Sequence, residues 1–349
     1  MAEKIEDIFF YFLRTGLWGG DKRDGGRGIN LTAGQWDRLF DLACSQAVPG
    51  LWVSGVARTA CRPEESVWGK WLAYLIYIKQ ANLQIEHAAS AWTERLSGAG
   101  VDAFVFKGVS VARWYEEPLL RSFGDVDLVV TRGWDRLEAA LTDWGVAWEP
   151  EHQDIRVDSQ GVLVEFHRDM ETLYNPFLQS RLRRMQQGEG CGKELYWVCL
   201  ILHLRRHCLI YGVGLKQVCD VAAMWAHAGL DAGKVAWMLR KLHAVRFSRA
   251  LFAFMERHLG LSGFPLPPQY GRRQRTLEQI ILKDAYRLKP EREKKEGRKR
   301  AYARVFSNML FWTRRSAALW NLMPGEACCF PVYLAVRRIR HIFGESREK

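Results

Sequence analysis

Apolar residues in the first hundred positions of the chain recur three and four apart, which is the spacing of one buried face of an α-helix. Thr32–Gln35 has the residue types of a helix-capping box, and helical spacing follows it as far as Ala43. After an expected break at Pro49, the spacing resumes over Val67–Leu96. This pattern predicts a helical N-terminal region over residues 1–98.

The pattern changes at Val101, where short apolar runs replace the helical spacing. Residues 158–161, Asp-Ser-Gln-Gly, are typical of a turn and predict that the two runs beside them form a β-hairpin. A helix is expected over residues 134–144. The predicted strands are Val101–Phe106, Asp125–Val130, Ile155–Val157 and Val162–Phe166. We therefore expect a compact mixed α/β unit over residues 99–188.

Helical spacing returns at Lys193 and continues through much of the remaining chain. Pro265–Pro268 predicts a linker, and the charged run over residues 289–300 predicts an exposed segment. Residues 189–349 should therefore form a helical C-terminal domain with a basic tail. The expected fold class is α+β, with a small mixed-sheet core flanked by helical N-terminal and C-terminal regions.

Composition indicates a globular chain without membrane spans. Of the 349 residues, 48% are hydrophobic, which is enough for about two packed domains. The longer apolar runs, Trp71–Ile78 and Leu195–Leu202, are far shorter than the ~20 residues of a membrane-spanning helix. An acidic N-terminus is unlike a secretory signal, and eight cysteines without a Cys-x-x-Cys pair disfavour zinc and disulfides. We expect a cytoplasmic protein with reduced thiols.

Positive charge is concentrated at one end of the chain. Residues 271–349 contain 20 Lys and Arg against 8 Asp and Glu, whereas the remaining 270 residues contain 31 of each sign. Arg337, Arg338 and Arg340 lie close together in this block. Such a block suits RNA, a nucleoside triphosphate or an acidic partner, and it equally suits a solvated helical surface.

Two aspartates two positions apart introduce the candidate chemistry. Asp125 and Asp127 lie at the start of a predicted strand, so both side chains should project from the same face. Two neighbouring carboxylates repel each other unless a cation lies between them, and Mg²⁺ prefers such oxygen ligands. Glu165 supplies a third carboxylate from a neighbouring predicted strand. Three such acids can hold two Mg²⁺ ions about 3.5–4 Å apart, which activates a hydroxyl and neutralises leaving pyrophosphate.

A turn suited to phosphate precedes these aspartates. Lys107 and Gly108 follow a predicted strand and begin a short predicted helix, where free backbone N–H groups and the helix dipole attract anions. Arg121 adds a second cation in the same segment. An edge or solvent-facing pair is the alternative for Asp125 and Asp127 taken alone. The turn, the cations and the three acids in this order favour a catalytic site.

The order of these residues resembles the uncharacterised bacterial nucleotidyltransferase family of the polymerase-beta-like superfamily. That family combines a Lys-Gly turn, a Tyr and Pro segment, an Arg, Gly-Asp-hydrophobic-Asp and a hydrophobic-Glu-hydrophobic-His strand. The matching residues here are Lys107-Gly108, Tyr115, Pro118, Arg121, Gly124-Asp125-Val126-Asp127 and Val164-Glu165-Phe166-His167. The similarity covers residues 30–230.

The resemblance implies a metal-dependent nucleotidyltransferase. Such an enzyme moves an NMP from an NTP to a hydroxyl of an acceptor and releases pyrophosphate, using two Mg²⁺ ions or Mn²⁺ in their place. The resemblance further implies that Asp125 and Asp127 bind both metals, and that Glu165 binds the catalytic metal and acts as a base. The nucleotide-binding candidates that it implies are Lys107, Gly108, Arg121 and, as a lesser candidate, Ser110 of the sequence Gly-Val-Ser.

Three histidines and one further aspartate could each have either a functional role near the site or a purely structural role. His167 follows Glu165 by two positions, so it should share the face of that acid near the site. His203 and His207 share a helix face, and a hydrogen-bonded pair that lines the cleft is preferred over a metal site. Asp220 suits either a helix cap or a group facing the cleft, and the cap is the preferred role.

The acceptor stays open at this point. The first hypothesis is a small hydroxylated molecule, such as a sugar or an antibiotic-like compound. The second is tRNA, modified by a toxin-like nucleotidyltransferase, which only the basic tail favours. The third is a catalytically inactive nucleotide-binding module, which the intact carboxylates argue against. Trp114 and Tyr115 are candidates for stacking on a base, but no pattern predicts whether ATP or another NTP is used, nor the oligomeric state.

Overall fold

The computed structural model describes residues 5–20, 29–151, 154–188, 192–210, 212–283 and 298–344. Within these ranges, the side chains of residues 151, 298–308 and 337–344 are not described. Most of the charged run over residues 289–300, and the side chains of Arg337, Arg338 and Arg340, therefore lie outside the described residues. The chain divides into two compact units, residues 1–170 with 218–229 and residues 171–217 with 230–349.

Three helices begin the first unit, α1 (Ile5–Trp18), α2 (Ala33–Ser45) and α3 (Pro49–Ala57). The predicted capping box is present at the start of α2. The backbone N–H of Gln35 donates to the Thr32 hydroxyl (3.4 Å), and the Thr32 N–H donates to the Gln35 side chain (2.9 Å). Helix α2 ends before Pro49, as expected, but the residues from Pro49 form a further helix that was not expected. Pro49 occupies the first turn of α3, where its missing N–H has no helical partner to lose.

Helices α1 and α3 pack with their backbones in direct contact. A Cβ atom on Gly16 would lie 1.9 Å from the carbonyl oxygen of Leu51, and one on Gly55 would lie 1.8 Å from that of Phe12. Neither position has room for a side chain. Aromatic rings surround this contact, and the ring of Trp52 packs edge-on against Phe12 at a centroid distance of 5.5 Å.

The 34-residue helix α4 (Glu65–Gly98) leads into a five-stranded mixed sheet. The strands are β1 (Asp102–Phe106), β2 (Val126–Arg132), β3 (Trp148–Glu151), β4 (Asp154–Ser159) and β5 (Val162–His167). The spatial order is β1-β2-β5-β4-β3, with β2 and β5 parallel and every other neighbouring pair antiparallel. The predicted hairpin is confirmed as β4–β5, and the predicted α+β class with helical flanks is confirmed.

Alternation along β2 and β5 separates the core from the site. Val126 and Leu128 lie in the apolar core that α4 and α6 (Trp134–Asp143) cover. Asp127, which lies between them, projects from the opposite face because successive strand residues point to opposite sides. Glu165 and His167 alternate with core residues of β5 in the same way. The sheet therefore presents three polar side chains on the face that the main core leaves uncovered.

Helices account for the regular structure of the second unit among the residues that the structure describes. They are α7 (Pro176–Gly188), α8 (Lys193–Ile210), α10 (Ala232–Lys241), α11 (Val245–Leu259), α12 (Arg272–Lys283), α13 (Arg298–Leu319) and α14 (Pro324–Gly344). Helix α9 (Leu215–His227) begins in this unit, and its residues from Val218 belong to the first. None of the helices in the described ranges has the length and apolar character needed to cross a membrane.

Candidate active site

The register of the sheet brings two of the predicted acids together. Asp127 of β2 and Glu165 of β5 are Cα partners in the parallel pair, and Glu165 is in turn the partner of Arg156 on β4. Residues in register on neighbouring strands project to the same face, so these three side chains form a row across the sheet. The Arg156 guanidinium lies 2.5 Å from the Glu165 carboxylate. The structure thus supplies Glu165 with a counter-ion that sequence reasoning missed.

The Asp127 carboxylate is buried and receives two cationic groups on the same oxygen. Oδ1 lies 2.9 Å from the Lys107 ammonium and 2.8 Å from Nε2 of His167. Burial by itself would raise the pKa of Asp127, but the charges and hydrogen bonds of Lys107 and His167 hold that pKa well below its ordinary range. Asp127 is therefore an ionised carboxylate in a nearly solvent-free position, 5% exposed.

The His167 ring is held from both sides by carboxylates. Nδ1 lies 3.0 Å from Oδ2 of Asp154, while Nε2 faces Asp127 and lies 3.7 Å from Oε2 of Glu165. Burial would lower the pKa of His167, but its bonds to Asp127 and Asp154 raise that pKa to about 9. The expectation that His167 lies near the acids is in agreement with this geometry, and Asp154 is a second partner that the sequence reasoning missed.

The Lys-Gly turn has an unusual backbone conformation. Lys107 has φ 59° and ψ −152°, a region that is almost restricted to glycine, and Gly108 follows with φ 31°. Non-glycine residues in such regions cost of order 1–3 kcal/mol each and cluster at functional sites. Helix α5 (Gly108–Ala112) begins here and carries the half-buried Ser110. Lys107 thus directly precedes α5, and its ammonium lies on the Asp127 carboxylate.

Asp125 occupies a different position from the other acids. It is half-buried and lies one residue before β2, and the predicted sharing of one face with Asp127 stays a prediction. Among the described residues, the potential ligand atoms that lie within 4.8 Å of one another belong to Asp127, Glu165 and His167. Two carboxylates and one imidazole form a donor set that fits a divalent cation.

A buried network holds the chain between α5 and β2. The Arg121 guanidinium donates to both oxygens of Asp220 (2.9 and 2.5 Å), and the Tyr115 hydroxyl donates to the same carboxylate (2.7 Å). Arg121 and Asp220 are each 4% exposed. The expected helix cap is wrong for Asp220, because this residue lies inside α9. Arg121, predicted to assist phosphate binding, lies beside the Gly108 turn with its guanidinium on Asp220; its predicted role with phosphate stays a prediction.

Asn82 of α4 supports the same segment from another direction. Its side-chain amide donates to the carbonyl oxygens of Leu119 (2.7 Å) and Arg121 (2.8 Å), and its carbonyl oxygen accepts from the N–H of Phe123 (3.0 Å). This segment includes a short 3₁₀ turn, Pro118–Leu120, and belongs to neither α5 nor β2. The amide thus replaces backbone pairing that an irregular buried segment would otherwise lack.

The two histidines of α8 lie in the second unit. Nδ1 of His203 lies 2.8 Å from Glu171, whose other oxygen lies 2.5 Å from the Arg206 guanidinium. Nδ1 of His207 lies 3.3 Å from the side-chain amide of Gln217, and the two imidazole rings are 4.2 Å apart. This agrees with the expected hydrogen-bonded pair on one helix face. Their predicted place in the cleft stays a prediction.

A pocket of about 350 Å³ opens in the first unit beyond the end of α5. Its walls include the indoles of Trp18 and Trp114, together with Arg113, Tyr115 and His227. The Tyr115 ring is buried, and its hydroxyl donates to Asp220, the residue that also pairs with Arg121. Tyr115 therefore belongs both to the wall of the pocket and to the buried network around Asp220.

A mixed sheet that sets acids of adjacent strands against a Lys-Gly turn is an arrangement suited to the transfer of phosphorus-containing groups. The profile of a family described as uncharacterised nucleotidyltransferases matches residues 32–260, and the chain belongs to this family. It is therefore a nucleotidyltransferase, as the resemblance implied. Searches of curated proteins and of solved structures returned no match.

Proposed function

We propose that this enzyme transfers an NMP from an NTP to a hydroxyl of a small acceptor, releases pyrophosphate and depends on divalent metal ions. One observation carries the proposal. Asp127 is buried and ionised, lies in register with Glu165, and has its negative charge balanced by Lys107 and His167. Keeping charged groups out of water is costly, and such arrangements are typical of catalytic sites.

Each residue of the site has a separate role in the proposed reaction. Bound metal ions would supply neutralisation of the triphosphate and of the developing charge. Lys107, released from Asp127, would bind the departing phosphates beside Gly108. The acceptor oxygen forms a bond to the α-phosphorus while the bond to the bridging oxygen of pyrophosphate breaks. Glu165 accepts the proton of the acceptor hydroxyl, and Asp125 is retained as a candidate ligand for the second ion.

The pocket beyond α5 favours a small acceptor. Its volume of about 350 Å³ is at the lower end of the range that small-molecule sites occupy. Its walls combine aromatic side chains with one cation, Arg113, and one acid, Glu116, which suits a compact polar molecule. Transfer to tRNA is the second candidate, and the observation that favours it is the positive charge of residues 271–349.

Thermal unfolding with each of the four NTPs, with and without Mg²⁺, tests the proposal. A ligand at ~100 times its dissociation constant should stabilise the folded protein by about 2.7 kcal/mol, which raises the unfolding midpoint. We expect a Mg²⁺-dependent rise with at least one NTP, lost in Asp127→Asn and kept in Asp143→Asn, a change at an exposed acid of α6. An unchanged midpoint with every NTP, or an equal rise in Asp127→Asn, would contradict the proposed site.

Turnover distinguishes the enzyme from an inactive binding module. Pyrophosphate release from the preferred NTP, measured with a panel of polyols, sugars and aminoglycosides, should rise with one class of acceptor. The same measurement with a tRNA mixture tests the second candidate. Nucleotide binding without pyrophosphate release from any acceptor would argue for the inactive module.

A further inference from the structure

His167 places a ring nitrogen beside the two acids of the candidate metal site. Of its ring nitrogens, Nε2 faces Asp127 at 2.8 Å and Glu165 at 3.7 Å, and Nδ1 faces Asp154 at 3.0 Å. The side chain is 14% exposed, so the ring has little freedom to turn away. Nε2 thus lies among the candidate ligand oxygens, and Nδ1, on the other side of the ring, contacts Asp154.

Asp154 has the role that a supporting carboxylate takes behind a metal-bound histidine. Such histidines almost always donate their second ring N–H to a carboxylate or carbonyl, which fixes the tautomer and the ring orientation. A carboxylate on Nδ1 leaves the Nε2 lone pair available to a cation once its proton is displaced. Asp154 begins β4, so the sheet itself holds this support in place.

The spacing of the ligand atoms suits a single ion. Neighbouring ligands of an octahedral cation with bonds of about 2.1 Å lie about 3 Å apart. The distance from Nε2 to Oδ1 of Asp127 is 2.8 Å, and all three ligand atoms lie within 4.8 Å of one another. The ammonium of Lys107, 2.9 Å from the same oxygen of Asp127, now supplies the positive charge that an ion would bring.

We propose that His167 is itself a ligand of the metal site, that Asp154 is its positioning residue, and that this nitrogen ligand makes the site prefer Mn²⁺ over Mg²⁺. The inference rests on the metal-dependent transfer proposed above, and it specifies the ligand set. Mg²⁺ binds almost entirely through oxygen, whereas imidazole is a better ligand for transition metals. A site made from carboxylates alone would prefer Mn²⁺ less strongly.

Pulsed electron paramagnetic resonance of Mn²⁺ on the full chain provides a direct readout. The sample contains Mn²⁺ and tripolyphosphate, which has no nitrogen, so any ¹⁴N coupling to the metal comes from the protein. We expect imidazole ¹⁴N coupling in the wild type and in His87→Asn, an exposed histidine of α4, and its loss in His167→Asn. In competition titrations, Mn²⁺ should displace Mg²⁺ at a lower concentration in the wild type, and His167→Asn should remove most of this advantage.

Asp154→Asn tests the positioning role separately. Changes to a supporting carboxylate typically weaken metal binding about 10–100-fold, so Mn²⁺ affinity should fall in this variant while the ¹⁴N coupling remains in the bound fraction. Asp158→Asn is the matched control, because it makes the same change at an exposed residue of the same strand. Circular dichroism of each variant separates loss of a ligand from loss of the fold.

Each contrary outcome has a distinct meaning. Bound Mn²⁺ without ¹⁴N coupling in the wild type, or unchanged binding in His167→Asn, would overturn the inference and leave the proposed transfer reaction standing. Equal affinity for Mn²⁺ and Mg²⁺ would overturn the claim of preference. No binding of either ion to the wild type, with or without ATP, would overturn both the ligand set and the metal-dependent reaction.

Discussion

Lys107 combines the least favourable backbone of the site with one of its important side chains. Its φ of 59° and ψ of −152° suit glycine, yet its ammonium lies 2.9 Å from Asp127. A glycine here would relieve the backbone and remove the charge that faces the acids. The lysine is therefore explained by what its side chain does and not by the stability of the turn.

Two substitutions at Lys107 separate these contributions. Both Lys107→Gly and Lys107→Ala remove the ammonium, so both should lose NTP-dependent stabilisation. Lys107→Gly should nevertheless be more stable than Lys107→Ala by about 1–3 kcal/mol, because only glycine adopts this conformation without strain. Urea unfolding measures the difference. At Glu138, an exposed position inside α6, the order should reverse, and equal stability of the two Lys107 variants would contradict the strain.

The residues of the site were predictable from sequence to different degrees. Lys107, Asp127 and Glu165 belong to a recognisable order of motifs, and the two-residue spacing placed His167 beside Glu165. Arg156 was missed because the predicted turn at residues 158–161 pairs it with Leu163, whereas the observed turn lies at Gln160 and Gly161 and pairs it with Glu165. The position of the turn fixes the pairing of a hairpin, so moving the turn by one residue changes the partner of every residue in the two strands.

Asp220 was beyond the reach of sequence reasoning. Its partner Arg121 lies 99 positions earlier in the chain, and no local pattern relates the two. Aspartate is a favoured residue at helix caps and is rarely a buried counter-ion, which is why the cap was preferred. Only the three-dimensional path of α9 brings its carboxylate against the segment before β2.

At the scale of elements, α9 and α4 together fix the segment that connects α5 to β2. Asp220→Ala would leave the Arg121 guanidinium buried without its partner, so we expect a loss of about 3–5 kcal/mol in the free energy of unfolding. Tyr115→Phe removes one hydrogen bond to the same carboxylate and should cost about 1 kcal/mol. Urea unfolding of both variants measures the contrast. Similar small losses would show that the ion pair contributes little.

Proline explains why two elements, α3 and β3, were not predicted from the sequence. Helix α3 begins at Pro49, and the edge strand β3 has four residues with Pro150 among them. Proline interrupts hydrophobic patterns but is tolerated in the first turn of a helix and on an edge strand. The long helix α4 and the hairpin β4–β5 were predicted well because their spacing is regular over their whole length.

At the scale of the whole molecule, the uneven charge makes a prediction about RNA. Residues 271–349 carry the entire formal charge of +12. We expect a tRNA mixture to bind by charge alone, weakly and with a steep loss of affinity between about 50 and 200 mM salt. Filter binding at both salt concentrations measures this. NTP binding, which depends on the buried site, should change much less.

The opposite result would revise the acceptor. Tight binding of one tRNA species that persists at 200 mM salt would favour transfer to tRNA over transfer to a small molecule, since sequence-independent phosphate contacts weaken steeply with salt. Growth arrest on expression of the wild type, relieved by Asp127→Asn, would support the same revision. Harmless expression would be in keeping with a small acceptor.

The pairing of each site acid with a cation has a consequence for how the protein exists in a cell. Asp127 is balanced by Lys107 and Glu165 by Arg156, so neither carboxylate needs a metal ion to be tolerated in the folded chain. Many metal sites are disordered until their ion arrives, because folding and binding are then one event. Here the protein supplies its own temporary counter-ions. Without bound metal, the enzyme would stay folded and inactive, and it would not be exposed to proteolysis as an unfolded chain.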